Sequence, residues 1–288
     1  MPEPRDERTL TVLGAGPQLT VQDLGRPGHA HLGVPRAGAL DAPALRLANR
    51  LVGNDEGAAG LECLGGGARL RTGVAMSLAV TGAQVAVHVD GRAREWGRAL
   101  SLRSGSEVAL GAPERGLRCY VAVAGGLQVP VTLGSRSTDL LSGIGPDPLR
   151  DGDELEVGEP QGRAVPVETT HSAPIRHELR IRLGPRDDWF DPGSVATLAD
   201  SPYVVGSDSN RIGLRLQGPA LRRRRDAELP SEGMVLGAVQ VPPSGQPVVF
   251  LNDHPTTGGY PVIGVVVADD LPTCAQLRPG EEIRLRVV

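Results

Sequence analysis

The chain contains no lysine: all 30 of its basic residues are arginine. This absence removes every reaction that needs a side-chain amine. A Schiff-base lysine, the lysine of a phosphate-binding loop and a lysine that carries biotin or lipoyl are all excluded. Arginine remains available to hold carboxylates or phosphates through its planar fork of donors.

Aromatic residues and cysteines are also scarce. With two Trp, three Tyr and two Phe, the core must be filled by Val, Leu, Ile and Ala, and base-stacking platforms are not expected. Cys63, Cys119 and Cys274 are far apart and odd in number, which predicts buried free thiols in a reducing compartment. No apolar stretch is long enough to cross a membrane, and residues 1–8 are charged. We therefore expect a cytoplasmic location.

Charge of neither sign dominates the sequence. The 30 basic and 34 acidic residues leave a formal net charge of -4, which provides no field to attract phosphate backbones or anionic lipid. We expect no nucleic-acid partner and no membrane partner. The length of 288 residues, with 40% hydrophobic and 22% charged content, suits one or two globular domains.

Turn-forming residues and short apolar runs are abundant. The 39 Gly and 25 Pro separate alternating or β-branched runs, a pattern typical of many short strands. We predict a mainly β fold. The predicted strands are residues 9–13, 77–80, 85–89, 119–124, 179–183, 235–241, 248–251, 262–267 and 282–287. Asp90-Gly91 predicts a tight hairpin turn, and Pro243-Ser244-Gly245 predicts another turn.

One helix is predicted after Asp41, with a weaker candidate over residues 194–198. Asp41 can cap the helix, Pro43 falls in its first turn, and Gly53 can end it. The apolar residues between them recur at helical spacing and predict a stripe that faces the core: Leu45, Ala48, Leu51 and Val52.

A short motif occurs three times, at residues 102–108, 149–155 and 277–283. Each copy predicts a turn with glycine at positive φ that leads into a strand. Two copies close the two halves of the chain, and residues 159–174 between the halves are polar and contain proline. We therefore predict a β-rich domain over residues 1–158, a linker over 159–174 and a β-barrel domain over 175–288.

Several familiar motifs are absent or incomplete. Residues 14–17 (GAGP) lack the third glycine of a dinucleotide-binding turn, and residues 134–138 (GSRST) lack the spacing of a serine-hydrolase elbow. His29 and His31 form a pair with no further metal-ligand motif, so no metal is expected. The run Arg222 to Arg225 is followed at once by acidic residues, which favours a solvated face over an anion site.

Two loops are richer in chemistry. Residues 20–28 (TVQDLGRPG) place an amide, a carboxylate and a guanidinium within five residues, which suits a planar polar substrate. In residues 252–261 (NDHPTTGGYP), two hydroxyls precede a Gly-Gly pair whose backbone N–H groups could form an anion-binding nest. Asp253 or His254 could handle a proton beside it. The alternative is that Gly-Gly and Pro only shape a tight β connection, and spacing leaves both accounts open.

These strings resemble a known family, the second subunit of the allophanate hydrolase or 5-oxoprolinase type. The family also supplies part of the carboxyltransferase region of urea carboxylases. The matching stretches are 20–28, 33–54 (GVPRAGALDAPALRLANRLVGN), 120–126 (YVAVAGG), 133–140 (LGSRSTDL), 229–243 (LPSEGMVLGAVQVPP) and 253–261 (DHPTTGGYP), followed by 270–272 and 275–277. They span nearly the whole chain in order.

The resemblance implies two cyclophilin-like β-barrels in tandem and an obligate partner, a homologous first subunit. In the 5-oxoprolinase type, a third, hydrolase subunit joins the pair, and ATP drives the opening of 5-oxoproline to glutamate. In the carboxyltransferase type, a carboxyl group passes from biotin to urea, and the biotin must sit on a separate carrier because this chain has no lysine. Some relatives are instead regulators that bind a kinase-inhibitor protein.

The resemblance also implies a set of shared polar positions. They fall here on Gln22, Asp23, Arg26, Asp41, Asn49, Asn54, Glu62, Arg136, Ser137, Asp208, Arg211, Gln240, Asp253, Thr256, Thr257 and Tyr260. Arg26, Arg136 and Arg211 are the expected carboxylate or phosphate clamps, with structural ion pairs as the alternative. Asp253, Thr256 and Thr257 are the expected reacting end, assisted by Gly258 and Gly259. The function implied is a subunit of an ATP-dependent amide-ring hydrolase, active in complex.

Overall fold

The chain is described by a computed structural model that covers residues 8–164, 174–225, 227 and 229–288. It divides into two compact units. The first contains the described residues within Met1–Arg26, Ala37–Asp139 and Gly143–Pro174, and the second contains Pro27–Arg36, Leu140–Ser142 and the described part of Ile175–Val288. The predicted linker falls largely on residues 165–173, outside the described part of the chain, so the predicted domain boundaries stay a prediction.

A nine-stranded sheet forms the first unit. Its strands are β1 (Thr9–Gly14), β2 (Gln18–Gln22), β3 (Gly60–Leu64), β4 (Arg69–Thr72), β5 (Met76–Val89), β6 (Arg92–Arg94), β7 (Ala99–Leu102), β8 (Glu107–Val123) and β9 (Glu154–Glu156). The main path of the sheet runs β2-β3-β8-β4-β1-β9, and β5 pairs with β6, β7 and β8.

The long strands β5 and β8 form the centre of this sheet. They pair antiparallel from Leu78 opposite Val123 to Val89 opposite Val108, with register shifts between Gly82 and Val87. From residue 82 to residue 89 of β5, buried side chains alternate with more exposed ones, so one face packs into the core, whereas residues 78–81 are buried on both faces. The predicted hairpin turn at Asp90-Gly91 is confirmed, since both residues have positive φ and join β5 to β6.

The first helix, α1 (Ala42–Val52), packs on this sheet. Asp41 caps it by accepting a hydrogen bond from the Ala44 N–H at 3.0 Å, and Gly53 ends it in the left-handed conformation. The predicted apolar stripe is buried, and it packs against alanines of β5 and β8. Burial of a leucine such as Leu45 or Leu51 stabilises this packing by roughly 1.5–3 kcal/mol.

A closed barrel forms the second unit. The strands of this unit are β10 (Glu178–Leu183), β11 (Pro202–Val205), β12 (Gly213–Gln217), β13 (Glu232–Gly233), β14 (Ala238–Gln240), β15 (Val248–Phe250), β16 (Thr257–Gly258), β17 (Val262–Val266) and β18 (Glu282–Val287). The strand order of the barrel is β10-β17-β14-β15-β12-β11-β18, and β13 pairs with β16 in a separate two-stranded sheet. The helices are α2 (Pro192–Asp200) and α3 (Leu271–Cys274), with 3-10 turns at Ala30–Leu32, Asp187–Trp189 and Ala268–Asp270.

The repeated motif is confirmed at all three positions as a left-handed glycine turn. Gly105, Gly152 and Gly280 have φ of 76°, 94° and 86°, and strands β8, β9 and β18 each begin two residues later. The N–H of each glycine donates to a carbonyl of a neighbouring segment: Gly105 to Thr72, Gly152 to Val12 and Gly280 to Val205. One local sequence therefore builds the same docking turn in both units.

The fold prediction is confirmed: the chain is mainly β, with a barrel and few short helices. The helix predicted near residues 194–198 is confirmed as α2. The strands predicted at 77–80 and 85–89 are one strand, β5, because the chain stays paired with β8 through the distortion at Gly82. The strand predicted at 235–241 is shorter than expected and covers Ala238–Gln240.

Candidate functional site

The loop after β2 is locked by the carboxylate of Asp23. Oδ1 accepts hydrogen bonds from the Ser135 and Ser137 hydroxyls at 2.6 and 2.5 Å and from the Gly25 N–H at 2.7 Å. Oδ2 accepts from the N–H of Arg136 at 2.6 Å. Four donors use the acceptor capacity of one carboxylate, so Asp23 joins the segment after β2 to residues 135–137.

Arg26 and Gln22 extend this junction inward. Arg26 is 1% exposed, and its guanidinium donates to the carbonyls of Ser137 at 2.5 Å and Thr132 at 3.3 Å. The Gln22 amide donates to the Thr138 carbonyl at 3.0 Å. Gln22, Asp23, Arg26 and Ser137 are therefore brought together, and the contacts shown bind protein groups to one another.

Arg136 differs from Arg26 because its side chain is only half-buried. Nε donates to the Val129 carbonyl at 2.9 Å, and Nη2 donates to Gln128 Oε1 at 3.0 Å. The side chain borders a pocket of about 350 Å³ in the first unit. The pocket is lined by Asn54, Asp55, Gly57, Ala58, Ala59, Gly125, Gly126, Leu127, Gln128, Arg136 and Gln161.

Asn54 lines this pocket, and the buried Asn49 holds it from behind. Asn54 donates to Asn49 Oδ1 at 3.0 Å and to the Val123 carbonyl at 2.8 Å, while its own Oδ1 accepts from the Gly125 N–H at 2.8 Å. Asn49 donates to the Ala58 carbonyl at 2.8 Å. These two amides attach the chain that follows α1 to the end of β8, which places the pocket at that end of the sheet.

Glu62, Tyr120 and Asp41 form a buried network under the start of α1. The Tyr120 hydroxyl donates to Glu62 Oε2 at 2.8 Å and accepts the N–H of Asp41 at 2.8 Å. Burial raises the pKa of Tyr120 well above its usual range, so the phenol stays protonated. This network positions the helix, and its members are enclosed by protein.

In the second unit, Asp253 is paired with Arg211. Both side chains are 0% exposed, and the guanidinium donates to the two carboxylate oxygens at 2.8 and 2.9 Å. Asp253 Oδ2 also accepts the N–H of Leu140 at 3.1 Å. A two-point pair of this kind satisfies both charges inside the protein.

The Thr-Thr-Gly-Gly segment is extended. Thr257 and Gly258 form β16, paired with β13, and the Thr256 carbonyl accepts the N–H of Met234 at 2.9 Å. Neither Gly258 nor Gly259 has a positive φ, so their N–H groups do not take the curved nest arrangement. Thr256 is half-buried and Thr257 is exposed, which leaves both hydroxyls near the surface of this unit.

Two further residues of this loop are held by neighbours. His254 is buried, its ring stacks on Phe250 at 5.9 Å, and its Nδ1 lies 2.7 Å from the Pro255 carbonyl. Burial is the main cause that lowers the pKa of His254. The Tyr260 carbonyl accepts a hydrogen bond from the Gln240 amide at 3.2 Å, and the Tyr260 ring is exposed.

The remaining sequence candidates are dispersed. Asp208 pairs with Arg215 on the surface at 3.2 Å. Within the arginine run, Arg223 lies over the Tyr260 ring and Arg225 forms an exposed ion pair with Asp188. At least these two side chains therefore contact other residues of the chain. Residues 226 and 228, which supply the acidic end of that run, lie outside the described residues.

No cluster of three His, Cys, Asp or Glu side chains suited to a metal ion occurs in the described part of the chain. The three cysteines are buried and free, as predicted. Cys63 and Cys119 face each other across β3 and β8, and burial raises the pKa of Cys274 to about 12. Among the residues described, no helix is long and apolar enough to cross a membrane.

Sequence reasoning missed the pocket beside Arg136 as a unit. Asp55, Gln128 and Gln161 belong to no motif by themselves, and they meet only because β8 returns beside the end of α1. A usable signal was the pair Gly125-Gly126, since both residues adopt left-handed φ of 98° and 68°. Two such glycines in succession indicate a sharp turn where backbone is closely approached.

The fold and these sites define a mainly β protein with buried polar junctions. A model of the carboxyltransferase domain, subdomain A and B, matches residues 32–287. The chain belongs to that carboxyltransferase-domain family. It is 41% identical over 277 residues to the C subunit of 5-oxoprolinase from Escherichia coli K12, covering 95% of this chain and 89% of that protein. A Haemophilus influenzae protein of the same name is 34% identical over 284 residues, covering 97% of this chain and 91% of that protein.

Solved structures show the same fold. The crystal structure of TTHA0988 matches with a TM-score of 0.86 and 38% identity over 98% of this chain. This chain spans 56% of the TTHA0988 chain. The K. lactis urea amidolyase matches with a TM-score of 0.87 and 27% identity over 97% of this chain, which corresponds to 18% of that much longer protein.

Proposed function

We propose that the chain is the C-type subunit of an ATP-dependent 5-oxoprolinase. The observation that carries this proposal is the end-to-end match to two proteins that bear the name of the 5-oxoprolinase C subunit, at 41% and 34% identity. Each match covers about nine-tenths of the relative, 89% and 91%, so the likeness extends over almost the whole of both proteins. The reaction proposed is hydrolysis of a cyclic amide C–N bond, with activity confined to the assembled enzyme.

The proposed partners are a homologous first subunit of the allophanate hydrolase subunit 1 or 5-oxoprolinase B type and a third, hydrolase subunit. The word subunit in the names of both relatives supports an assembly. TTHA0988 supports an assembly further. This chain matches 56% of the TTHA0988 chain, so in that protein the matching part is joined to additional protein. We also propose a cytoplasmic location, which the three free, buried cysteines support.

The three predicted clamp arginines do not form a triphosphate site in this chain. A triphosphate needs several converging cations or a glycine loop with lysine, and the sequence has no lysine. Of the three predicted clamps, Arg26 and Arg211 are fully buried and donate to protein groups. The pocket beside Arg136 contains one guanidinium and the carboxylate of Asp55, which would repel phosphate. We therefore propose that the nucleotide binds on the partner subunits.

Within the second unit, we propose the Thr-Thr-Gly-Gly segment as the reacting end. The hydroxyls of Thr256 and Thr257 stand near the surface, where donors can stabilise negative charge that develops on an amide oxygen. Asp253 precedes this segment in the loop, and its buried ion pair with Arg211 fixes the position from which the segment starts. The remaining substrate contacts are assigned to Gly258, Gly259 and Tyr260.

The experiment is ATP hydrolysis by the chain assembled with its homologous partner and the candidate hydrolase subunit. One arm supplies 5-oxoproline, and the other supplies urea, bicarbonate and a biotinylated carrier. Stimulation by 5-oxoproline with equimolar glutamate release supports the proposal. Stimulation only by urea with the carrier contradicts it and assigns carboxyl transfer instead.

Carboxyl transfer is the second candidate, favoured by the structural match to the K. lactis urea amidolyase at 27% identity. Biotin would have to reside on another protein, because no lysine exists here to carry it. A third outcome, tight pairing with no ATP hydrolysis in either arm, would contradict both enzyme functions on these substrates. It would favour a regulator that binds a kinase-inhibitor-type partner, or a substrate other than the two tested.

A further inference from the structure

The pocket beside Arg136 is the one concave site that the proposed reaction leaves unused among those described above. It lies within the first unit, whereas the Thr-Thr-Gly-Gly segment belongs to the second. Its volume of about 350 Å³ is at the small end of the range for small-molecule sites, and it is too small for a polymer. Its lining contains a cation, an anion and three primary amides.

The cation is presented to the pocket in a fixed orientation. Hydrogen bonds from Nε to the Val129 carbonyl and from Nη2 to Gln128 Oε1 hold the guanidinium plane, and the backbone N–H is held by Asp23. Nη1 makes no hydrogen bond within the described part of the chain, and no carboxylate there forms an ion pair with Arg136. Because the fork is already ordered, a ligand carboxylate would lose little side-chain entropy on binding.

Two lining residues, Gly125 and Gly126, have left-handed φ and close neighbours that disfavour a side chain. A Cβ on Gly125 would lie 1.9 Å from the Gly158 carbonyl oxygen, and one on Gly126 would lie 3.3 Å from the Ala58 Cβ. Gly57, Ala58 and Ala59 add further walls that carry little or no side chain. This part of the lining therefore leaves room for a ligand.

The anion in the pocket is Asp55, whose exposed side chain forms no hydrogen bond or ion pair with any residue that the structure describes. Its carboxylate can accept a hydrogen bond from an N–H group of a ligand. The amides of Asn54, Gln128 and Gln161 complete the polar lining. A guanidinium and a carboxylate in one small pocket match a ligand that carries both a carboxylate and an N–H group.

We propose that this pocket binds a small carboxylate that also bears an N–H group, with Arg136 holding the carboxylate and Asp55 accepting the N–H. Both a lactam acid and an α-amino acid belong to this class. The choice of 5-oxoproline and glutamate as probes rests on the proposed function, whereas the pocket itself does not depend on it.

The test is isothermal titration of the purified full-length chain, without ATP or partner subunits, with 5-oxoproline and with glutamate. Binding of at least one probe is expected, and 2-pyrrolidinone, which keeps the lactam and lacks the carboxylate, should bind about tenfold more weakly or not at all. Arg136→Gln should weaken binding about tenfold or more by removing the charged fork. Arg150→Gln, which changes an exposed arginine outside the pocket in the same unit, should bind as the unmodified chain does.

A second variant separates charge from folding. Gln128→Glu keeps the side-chain length and an acceptor for Arg136, loses the exposed hydrogen bond from the Gln128 amide to the Gly125 carbonyl, and places a carboxylate against the guanidinium. It should weaken binding of both probes while lowering the unfolding midpoint only slightly. Failure of both probes to bind, or unchanged affinity in Arg136→Gln, overturns the proposal. If the purified chain binds a probe as expected but the assembled enzyme shows no ATP hydrolysis with 5-oxoproline, the proposed function is contradicted and the proposed pocket is not.

Discussion

The hydroxyl of Tyr120 links the carboxylate of Glu62 to the backbone of Asp41, the N-cap residue of α1. It donates to Glu62 Oε2 at 2.8 Å and accepts the N–H of Asp41 at 2.8 Å, while Glu62 Oε2 also accepts the N–H of Leu40 at 3.0 Å. All these groups are buried. The hydroxyl thus connects the middle of the sheet to the turn from which α1 begins.

Tyr120→Phe removes that hydroxyl and leaves two buried groups with one hydrogen bond fewer. The free energy of unfolding should fall by about 1–3 kcal/mol, the cost typical of a buried polar group that loses its partner. Urea unfolding followed by circular dichroism measures this change. Tyr203→Phe is the control, since the Tyr203 hydroxyl makes a longer bond of 3.2 Å to the Pro219 carbonyl. An equal loss of unfolding free energy in both variants would contradict the stabilising role assigned to the hydrogen bonds of Tyr120.

Asp253→Asn should destabilise the second unit by about 3–5 kcal/mol, because it leaves the guanidinium of Arg211 buried without its counter-charge. The unfolding midpoint in urea measures the effect. A matched control is Asp208→Asn, which breaks an exposed ion pair with Arg215 and should cost about 0–1 kcal/mol.

Loss of turnover in Asp253→Asn has two interpretations that stability separates. If the variant keeps its unfolding midpoint and loses turnover in the assembled enzyme, Asp253 acts in the reaction itself. If stability falls as expected, the loss of turnover follows from a displaced loop, and Thr256→Ala and Thr257→Ala become the informative variants.

His254 should make stability depend on pH below neutrality. Burial favours the neutral ring and lowers the pKa of His254 in the folded chain; the hydrogen bond to the Pro255 carbonyl opposes this, Arg36 adds to it, and Asp253 opposes it least. The unfolded chain therefore binds the proton first, and stability falls as pH drops from about 6.5 towards the lower folded pKa. Unfolding midpoints between pH 5 and about 8 for the unmodified chain and His254→Gln measure this contribution. An identical pH profile for both proteins would contradict it.

Gly125→Ala should be far more costly than Gly91→Ala. Both glycines have left-handed φ, of 98° and 74°, so each substitution carries a backbone cost of about 1–2 kcal/mol. At Gly125 the new methyl would also meet the Gly158 carbonyl at 1.9 Å, whereas nothing lies within 4 Å at Gly91. Thermal unfolding of the two variants measures the difference. Equal midpoints would mean that residues 158 and 159 do not pack against Gly125 in solution.

Local sequence was sufficient where one short segment decides its own conformation. Asp41, Pro43 and Gly53 bound α1 where the sequence predicted it, because capping and a left-handed stop are local interactions. Gly105, Gly152 and Gly280 likewise form the predicted turns, since only glycine adopts that φ without strain.

Strands without a strong apolar run were not predicted. Strand β3 carries Glu62 in its centre, and β4 (RLRT) has two exposed arginines, so neither shows the composition of a buried strand. Glu62 is tolerated there because the Tyr120 hydroxyl and the N–H of Leu40 donate to it, and the buried guanidinium of Arg118 lies 3.5 Å away as a counter-charge. Such partners are distant in sequence, and no local pattern reveals them.

The sequence by itself determined the mainly β class, the helix and its caps, the repeated turns and the chemistry that the absence of lysine excludes. Tertiary structure alone decided which polar residues face protein and which face a pocket. Arg26, Arg136 and Arg211 look alike in sequence, yet two are buried against carbonyls or a carboxylate and one borders a cavity. The reason is physical: burial and hydrogen bonding depend on groups that folding brings from remote parts of the chain, and these set whether a guanidinium is structural or available to a ligand.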